Sequence, residues 1–383
     1  MEQLVRLGDV CTVVSGSTPK TSVDEYWNGD VKWITPAELD ADSYYIHDSV
    51  KHITELGRTK TGLSYMPVGT VILSSRAPIG KTAILGCEMC CNQGFKNLIC
   101  TDRIFNEYLY HFLRAKTNYL NSLGRGATFK ELSKGIVENV LIPLPAIEEQ
   151  HHIADLFASV EELIQTKKQQ LDLLDELVKS RFIELFGDST HSRSKVLLED
   201  ISAFVTVGIA NSATHAYVDN GIVMLRNQNI KENHLDENDL IYITPDFAKK
   251  YGSKQLAEND ILVIRTGYPG VACLVPKKYE GCQTFTTLIV RLKDSTSAHA
   301  NYVCHYINSS FGKDYVEQSK VGVAQQNFGA KALAKMPIVV PPMELQEEFA
   351  AFAEQTDKSK LAVQQSIAEL EELKKSLMQI YFG

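Results

Sequence analysis

Apolar residues follow two different rhythms along this chain. Between residues 147 and 187 they recur at spacings of three and four: Ile153, Leu156 and Phe157, Val160, Leu163 and Ile164, Leu171, Leu174, Leu177 and Val178, and Leu185. The same rhythm returns between 343 and 383 through Phe349, Phe352, Val363, Ile367, Leu370, Leu373, Leu377 and Ile380. Held over about five heptads, this spacing lays one apolar seam along a helix and predicts a coiled coil. Glu, Lys and Gln, all good helix formers, fill the other positions. Proline precedes each stretch, while Gly187 and Gly383 close them. About 38 residues at ~1.5 Å each predict rods of roughly 55–60 Å. Lys167, Thr356 and Ser359 put polar groups on the seam, where such groups cost stability and fix register. The pattern predicts two long helices paired antiparallel. The plainer alternative is two amphipathic helices, each laid on its own domain; heptads unbroken by Gly or Pro favour the long seam.

Elsewhere the rhythm is short and β-like. Val31–Thr35, Gly69–Ser74, Ala83–Leu85, Ile222–Arg226, Ile261–Arg265 and Thr287–Leu292 are Val/Ile/Thr-rich runs between Gly, Pro, Asn and Asp, the signature of strands. Helices are expected at Asn106–Ser122 and Ala300–Tyr315. Each globular half therefore reads as α+β with a mixed or antiparallel sheet.

The chain repeats itself. Glu148 and Gln150 in LPAIEEQ align with Glu344 and Gln346 in PPMELQ, and Phe186-Gly187 aligns with Phe382-Gly383, all at an offset of 196. Nearer the start of each repeat the offset drifts: Leu7–Val10 matches Leu198–Ile201 at 191, and the strand ending at Arg76 matches that ending at Arg265 at 189. The helical parts keep a constant length and the globular parts do not. The expected organisation is a pseudo-two-fold internal repeat: globular domains at 1–145 and 188–342, long helices at 146–187 and 343–383.

Charge sharpens this division. The formal net charge is −8. Residues 147–187 carry nine acidic and four basic groups, and residues 343–383 eight and four, so the acidic excess lies on the helices. Acidic rods suit protein partners, and nearly neutral globular domains can still turn a basic face to phosphate. No apolar run approaches the ~20 residues that cross a bilayer, and the opening MEQLVRLGDV lacks the form of a signal peptide. A cytoplasmic protein with no membrane association and eight reduced cysteines is expected. Cys87 and Cys90 form a CxxC without a second pair to complete a zinc site, so neither metal nor cofactor is expected.

Catalytic signatures are missing. SRAPIGKT at 75–82 resembles a phosphate-binding loop, but Ser75 replaces its first glycine and a strand-like AILG follows where a helix is required. There is no dinucleotide-binding glycine loop, HExxH or GxSxG, and no amino-methyltransferase motif. What remains are polar clusters suited to nucleic acid. The first half offers Ser17, Thr18, Lys20, Lys32, Arg76, Lys81, Asn92, Gln93, Lys96, Arg125, Thr128 and Lys130; the second offers Arg226, Asn227, Gln228, Asn229, Arg265, Gln283, Gln325, Gln326 and Asn327. Arg pairs with guanine, and Asn or Gln with adenine, in the major groove, while Lys, Ser and Thr reach phosphates. The same residue types also mark turns. GRGATFK and GVAQQNF occupy equivalent places ahead of the proline runs.

The whole chain resembles the specificity subunit of type I restriction–modification systems. The resemblance is carried by LGDVCTVVSGSTPKT with YWNGDVKWITPAEL, by VILSSRAPIG and NQGF, and by LPAIEEQ and PPMELQ leading into helices that end in FG. It implies two target-recognition domains reading a split site on double-stranded DNA, and helices that space them and recruit two modification (methyltransferase) subunits. Restriction (translocase and nuclease) subunits join in complete systems. It also implies a non-catalytic subunit. GSTPK and NQGF are absent from the second half, so the half-sites are expected to differ. The competing readings are a coiled-coil scaffold without DNA and a self-sufficient restriction or methylation enzyme.

Overall fold

The structure is a computed structural model and describes residues 4–40, 42–126, 130–187, 195–210, 213–295, 297–320 and 327–383. The chain forms two compact units. One comprises Met1–Gln169 with Gln364–Gly383, the other Gln170–Val363.

The seam residues form two uninterrupted helices, Ile147–Phe186 and Met343–Phe382, each of 40 residues and so about 60 Å long. They run antiparallel within each unit. In the first, Phe157 stacks on Phe382 with centroids 5.7 Å apart, and Glu161 pairs with Lys374. In the second, Asp175 pairs with Lys360 at 2.6 Å and Phe182 meets Phe349 edge-on at 5.3 Å. Where the pattern offered neighbouring apolar residues, one takes the inside: Ile164 and Val178 are buried while Leu163 and Leu177 are about half exposed. Leu373 and Ile380, expected on the seam, are exposed as well, because one helix covers only a narrow stripe of another. At their outer ends the helices do more than pair. Ile153, Phe157 and Phe382 belong to the core of the first unit, and Phe182, Phe186, Phe349 and Ala353 to that of the second.

The six expected strands all form. In the first unit β1 (Leu4–Arg6) pairs with β10 (Leu141–Pro143). The main sheet has the order β2-β9-β6-β7-β4, built from Cys11–Ser15, Phe95–Cys100, Val71–Ser74, Thr82–Leu85 and Tyr45–Ile46. It is antiparallel except where β4 joins β7. A smaller sheet sets β3 (Trp27–Ile34) between β5 (His52–Ile53) and β8 (Cys90–Cys91). The second unit repeats this frame. Here β11 (Lys195–Leu197) pairs with β22 (Pro337–Val339). The sheet β12-β21-β18-β19 comprises Ser202–Val207, Leu288–Leu292, Ile261–Val263 and Ala272–Leu274. In a separate sheet β14 (Ile222–Leu225) lies parallel to β20 (Gln283–Thr284), as β3 lies parallel to β8.

Each predicted globular helix is broken in two, at Lys116 and at Ser309. In the second unit the break is tight: a Cβ on Gly312 would lie 2.1 Å from the Ile307 carbonyl oxygen, so only glycine lets the next helix fold back so closely.

The repeated proline-to-glutamine motif has a structural job. Gln150 is fully buried. Its Oε1 accepts the Phe105 N–H at 2.8 Å, and its Nε2 donates to the carbonyls of Arg103 (3.1 Å) and Pro145 (2.9 Å). Gln346 does the same with the His299 N–H (2.8 Å) and the carbonyls of Ser297 (2.8 Å) and Pro341 (2.7 Å). Each amide ties the start of a long helix to the loop that follows the sheet, and satisfies buried backbone groups that would otherwise go unpaired.

Candidate nucleic-acid interface

In the first unit four segments meet at one end of the main sheet. The loop after β2 is held by Trp33, whose indole N–H donates to the Ser17 carbonyl (3.0 Å), and by Trp27, which donates to the Lys20 carbonyl (3.3 Å). Gly16 lets this loop touch the turn after β8: a Cβ there would sit 2.0 Å from the Asn92 carbonyl oxygen. Asn92 completes the junction, donating from Nδ2 to Thr18 Oγ1 (2.9 Å) and accepting the Gly94 N–H on Oδ1 (2.8 Å). The Gly94 carbonyl in turn accepts from the backbone of Ser75 at 2.7 Å. Finally, residues 130–132 return alongside: Glu131 pairs with Arg76 and Arg125, and the Leu132 N–H donates to the Ser75 carbonyl at 2.8 Å.

The result is a row of side chains from Lys20 and Gln93, both exposed, through Arg76 to Arg125 and Lys130, also exposed. Arg76 forms an ion pair with Glu131, its Nε 3.1 Å from Oε2. Beneath it lies Lys96, only 5% exposed, with its ammonium 3.3 Å from Ser75 Oγ and 3.6 Å from Glu131. Burial pulls the Lys96 pKa below its ordinary value, and the Glu131 charge opposes that shift. A cleft of about 760 Å³ opens beside this end, lined by Tyr119, Leu123, Arg125, Glu131 and Ser133 among others.

Two candidates stand outside the row. Lys32 donates to the His47 carbonyl (2.7 Å) and lies 3.7 Å from Asp48. Lys81 donates to the carbonyls of Leu39 (2.5 Å) and Pro36 (3.2 Å). Both ammonium groups hold loops together. The GKT string therefore closes a turn between β6 and β7 and leads into a strand, without the helix a phosphate loop requires. Thr128 lies outside the described residues, as do Gln325 and Gln326.

The second unit makes a comparable cluster with other side chains. Arg265 donates from Nε to Asn327 Oδ1 at 3.0 Å. Asn227 donates to the carbonyl and hydroxyl of Thr266, each at 3.3 Å, while Gln228 is exposed. The Asn227 Oδ1 and Arg226 Nε atoms are buried without a hydrogen-bond partner among the described residues. Asn227, Gln228, Lys231, Thr266 and Tyr268 line a cleft of about 520 Å³. Asn229 plays a different part: it is buried and donates to the carbonyls of Asp236 (3.0 Å) and Asn238 (2.9 Å). Gln283 likewise is buried and donates to the carbonyls of Ala248 and Tyr251, each at 3.2 Å.

Hydrogen-bond register corrects the alignment of the two strands. Ser74 N–H donates to the Lys81 carbonyl, and Ile264 N–H to the Val271 carbonyl, which is an offset of 190. Arg76 thus matches Thr266, and Arg265 matches Ser75. The sequence offset of 189 was set by superposing the two arginines, which occupy neighbouring positions in the fold. Sequence reasoning also missed Glu131, although Asn327 lies 196 positions further on, the offset of the flanking motifs. It missed Tyr268 too, 83% exposed at the tip of the β18–β19 turn, because a lone tyrosine carries no pattern.

Among the described residues no three His, Cys, Asp or Glu side chains gather as a metal site, and no helix is long and apolar enough to cross a membrane. Comparison with known proteins adds the family context. The profile of the type I restriction modification DNA specificity domain matches twice, over residues 2–176 and 198–372. The MjaIX type I restriction enzyme specificity subunit of Methanocaldococcus jannaschii is 40% identical over 186 residues, spanning 48% of this chain and 43% of that protein. The MjaVIII specificity subunit of the same organism is 21% identical over 99% of this chain and 91% of its own length. The crystal structure of the type I restriction–modification S subunit from M. genitalium shares the fold, with a TM-score of 0.57 at 12% identity over 100% of this chain and 96% of that one.

Proposed function

Because this chain belongs to the type I restriction–modification DNA specificity family, with two copies of the recognition domain, we propose that it directs a methyltransferase and restriction complex to a bipartite site on double-stranded DNA. Each unit reads one half-site. The acidic long helices recruit two modification subunits, to which restriction subunits are added. The chain supplies no catalytic group of its own, and the complex works in the cytoplasm.

One observation carries the reading. The two units share a sheet frame but end it in different polar sets: Lys20, Gln93, Arg76, Arg125 and Lys130 in one, Asn227, Gln228, Thr266, Arg265 and Asn327 in the other. A common frame with different donors and acceptors is what reading two unlike base sequences requires. A plain scaffold would have no use for it.

The test is to express the chain with its cognate modification subunit and sequence the methylated sites. A two-part motif with a fixed gap is expected. Replacing residues 1–140 by those of a relative should alter one half of that motif alone; alteration of both halves, or of neither, refutes the assignment.

A further inference from the structure

This inference rests on the DNA-reading assignment above and concerns how each unit presents its arginine. Arg76 and Arg265 sit at neighbouring, non-equivalent positions past the end of matching strands, yet both are gripped from one structural position. Glu131 and Asn327 are equivalent, since Glu131 faces Arg76 across an antiparallel bridge as Asn327 faces Thr266. In both cases Nε is the nitrogen facing the grip, 3.1 Å from Glu131 Oε2 in an ion pair and 3.0 Å from Asn327 Oδ1 in a hydrogen bond. The four Nη nitrogens meet no acceptor among the described residues.

Backbone cohesion does not explain the grip. The returning segment is already tied to the strand end by main-chain bonds, Leu132 to Ser75 in one unit and Phe328 to Arg265 in the other, and a half-exposed ion pair adds little to stability. Charge bookkeeping does explain an otherwise odd residue. Lys96 pairs with Leu73 in register, and its counterpart Leu288 pairs with Val263. Where the grip is a carboxylate, a buried lysine lies beneath it; where the grip is a neutral amide, a leucine does. Arg76 with Glu131 and Lys96 thus carries the same net charge as Arg265 with Asn327, one positive. Each arrangement leaves its arginine with Nε turned to the grip and with Nη nitrogens that meet no hydrogen-bond acceptor among the described residues.

We infer that Glu131 with Lys96, and Asn327, are positioning residues that aim the Nη forks of Arg76 and Arg265 at guanine, so that each half-site contains a G·C pair read by its arginine. A fork fixed at Nε matches the O6 and N7 acceptors that guanine shows in the major groove, and lysine cannot reproduce that bidentate geometry.

The experiment selects bound duplexes from a random library with the full chain in complex with its modification subunit. The wild-type motif should hold a fixed G·C pair in each half. Arg76→Lys should lower the preference for that pair at least ten-fold in one half only, and Arg265→Lys in the other. Glu131→Leu should release the same position as Arg76→Lys. Loss of folding in Glu131→Leu is separated by the double variant Lys96→Leu/Glu131→Asn, which gives the first unit the second unit's neutral amide grip over a leucine and should keep the guanine preference. Unchanged preference in Arg76→Lys, or a released base in the double variant with folding intact, overturns the inference while leaving the bipartite function standing. A wild-type complex that selects no two-part motif brings down both.

Discussion

Acid should weaken both units through histidines that burial keeps neutral, chiefly one in each. His111 is fully buried and stacks on Phe157 with centroids 4.8 Å apart, and neither ring nitrogen has a hydrogen-bond partner among the described residues. His305 is packed edge-on against Phe349 at 4.9 Å. Burial, helped by the charges of Lys374 and Arg114, holds His111 down to about 3; burial, helped by Lys360, does the same to His305, again to about 3. A base whose pKa is depressed in the folded state stays neutral there and takes up a proton on unfolding. Its contribution is complete above the unfolded value near 6.5 and is lost as pH falls below it. Between pH ~7.5 and ~5 each histidine should therefore remove about 2 kcal/mol from its unit, and together about 4 kcal/mol. The assay is urea unfolding of the wild type and of His111→Leu/His305→Leu at both pH values. Other groups titrate in this range, among them His299, which burial also shifts down, so the quantity to read is the difference between the two proteins. If the leucine variant loses as much stability as the wild type, these two histidines are not the cause.

Gln150→Leu and Gln346→Leu each strand one backbone donor and two backbone acceptors in the core. Each should cost on the order of 3 kcal/mol or more, read as a lower urea midpoint, whereas Glu149→Ala on the exposed side of the same turn should be nearly silent. Gly16→Ala places a methyl group within 2.0 Å of a backbone oxygen, so the junction of the β2 loop with the Asn92 turn must open; a loss of about 1–3 kcal/mol is expected, together with weakened DNA binding, and unchanged amide chemical shifts around Asn92 would contradict it.

The duplication was legible because the features that carry it are local. The heptads, the Glu-Gln spacing and the closing Phe-Gly each survive in a single sequence, and the antiparallel helices follow from them. The division into units was less legible. A reading along the chain places residues 343–383 after the second domain, whereas Leu377, Met378, Tyr381 and Phe382 lie against the first unit's core. Only tertiary contact decides that. The candidate site was legible as a set of loops, and the structure separates its members by what their polar atoms touch. Lys32, Lys81, Asn229 and Gln283 look like ligand-binding residues in sequence and turn out to satisfy carbonyls of neighbouring loops. Conversely Lys96, proposed as a phosphate contact, lies 95% inside the protein, where its partner is Glu131. No periodicity distinguishes a lysine that reaches outward from one that reaches across.

The placement of residues 364–383 also bears on how the molecule is made. The second unit is contiguous, Gln170–Val363, while the first is completed by residues that follow it in the chain. On the ribosome the usual order, first domain first, is therefore expected to reverse. The first unit's sheet is translated early, but Tyr108 and Phe112 pack on Phe382, which is translated near the end. The second unit ends at Val363 and can close before the last stretch of the second long helix, about five turns from Gln364 onward, emerges. Those turns are the part that completes the first unit, so a nascent chain stalled just before them is expected to hold a closed second unit and an open first one.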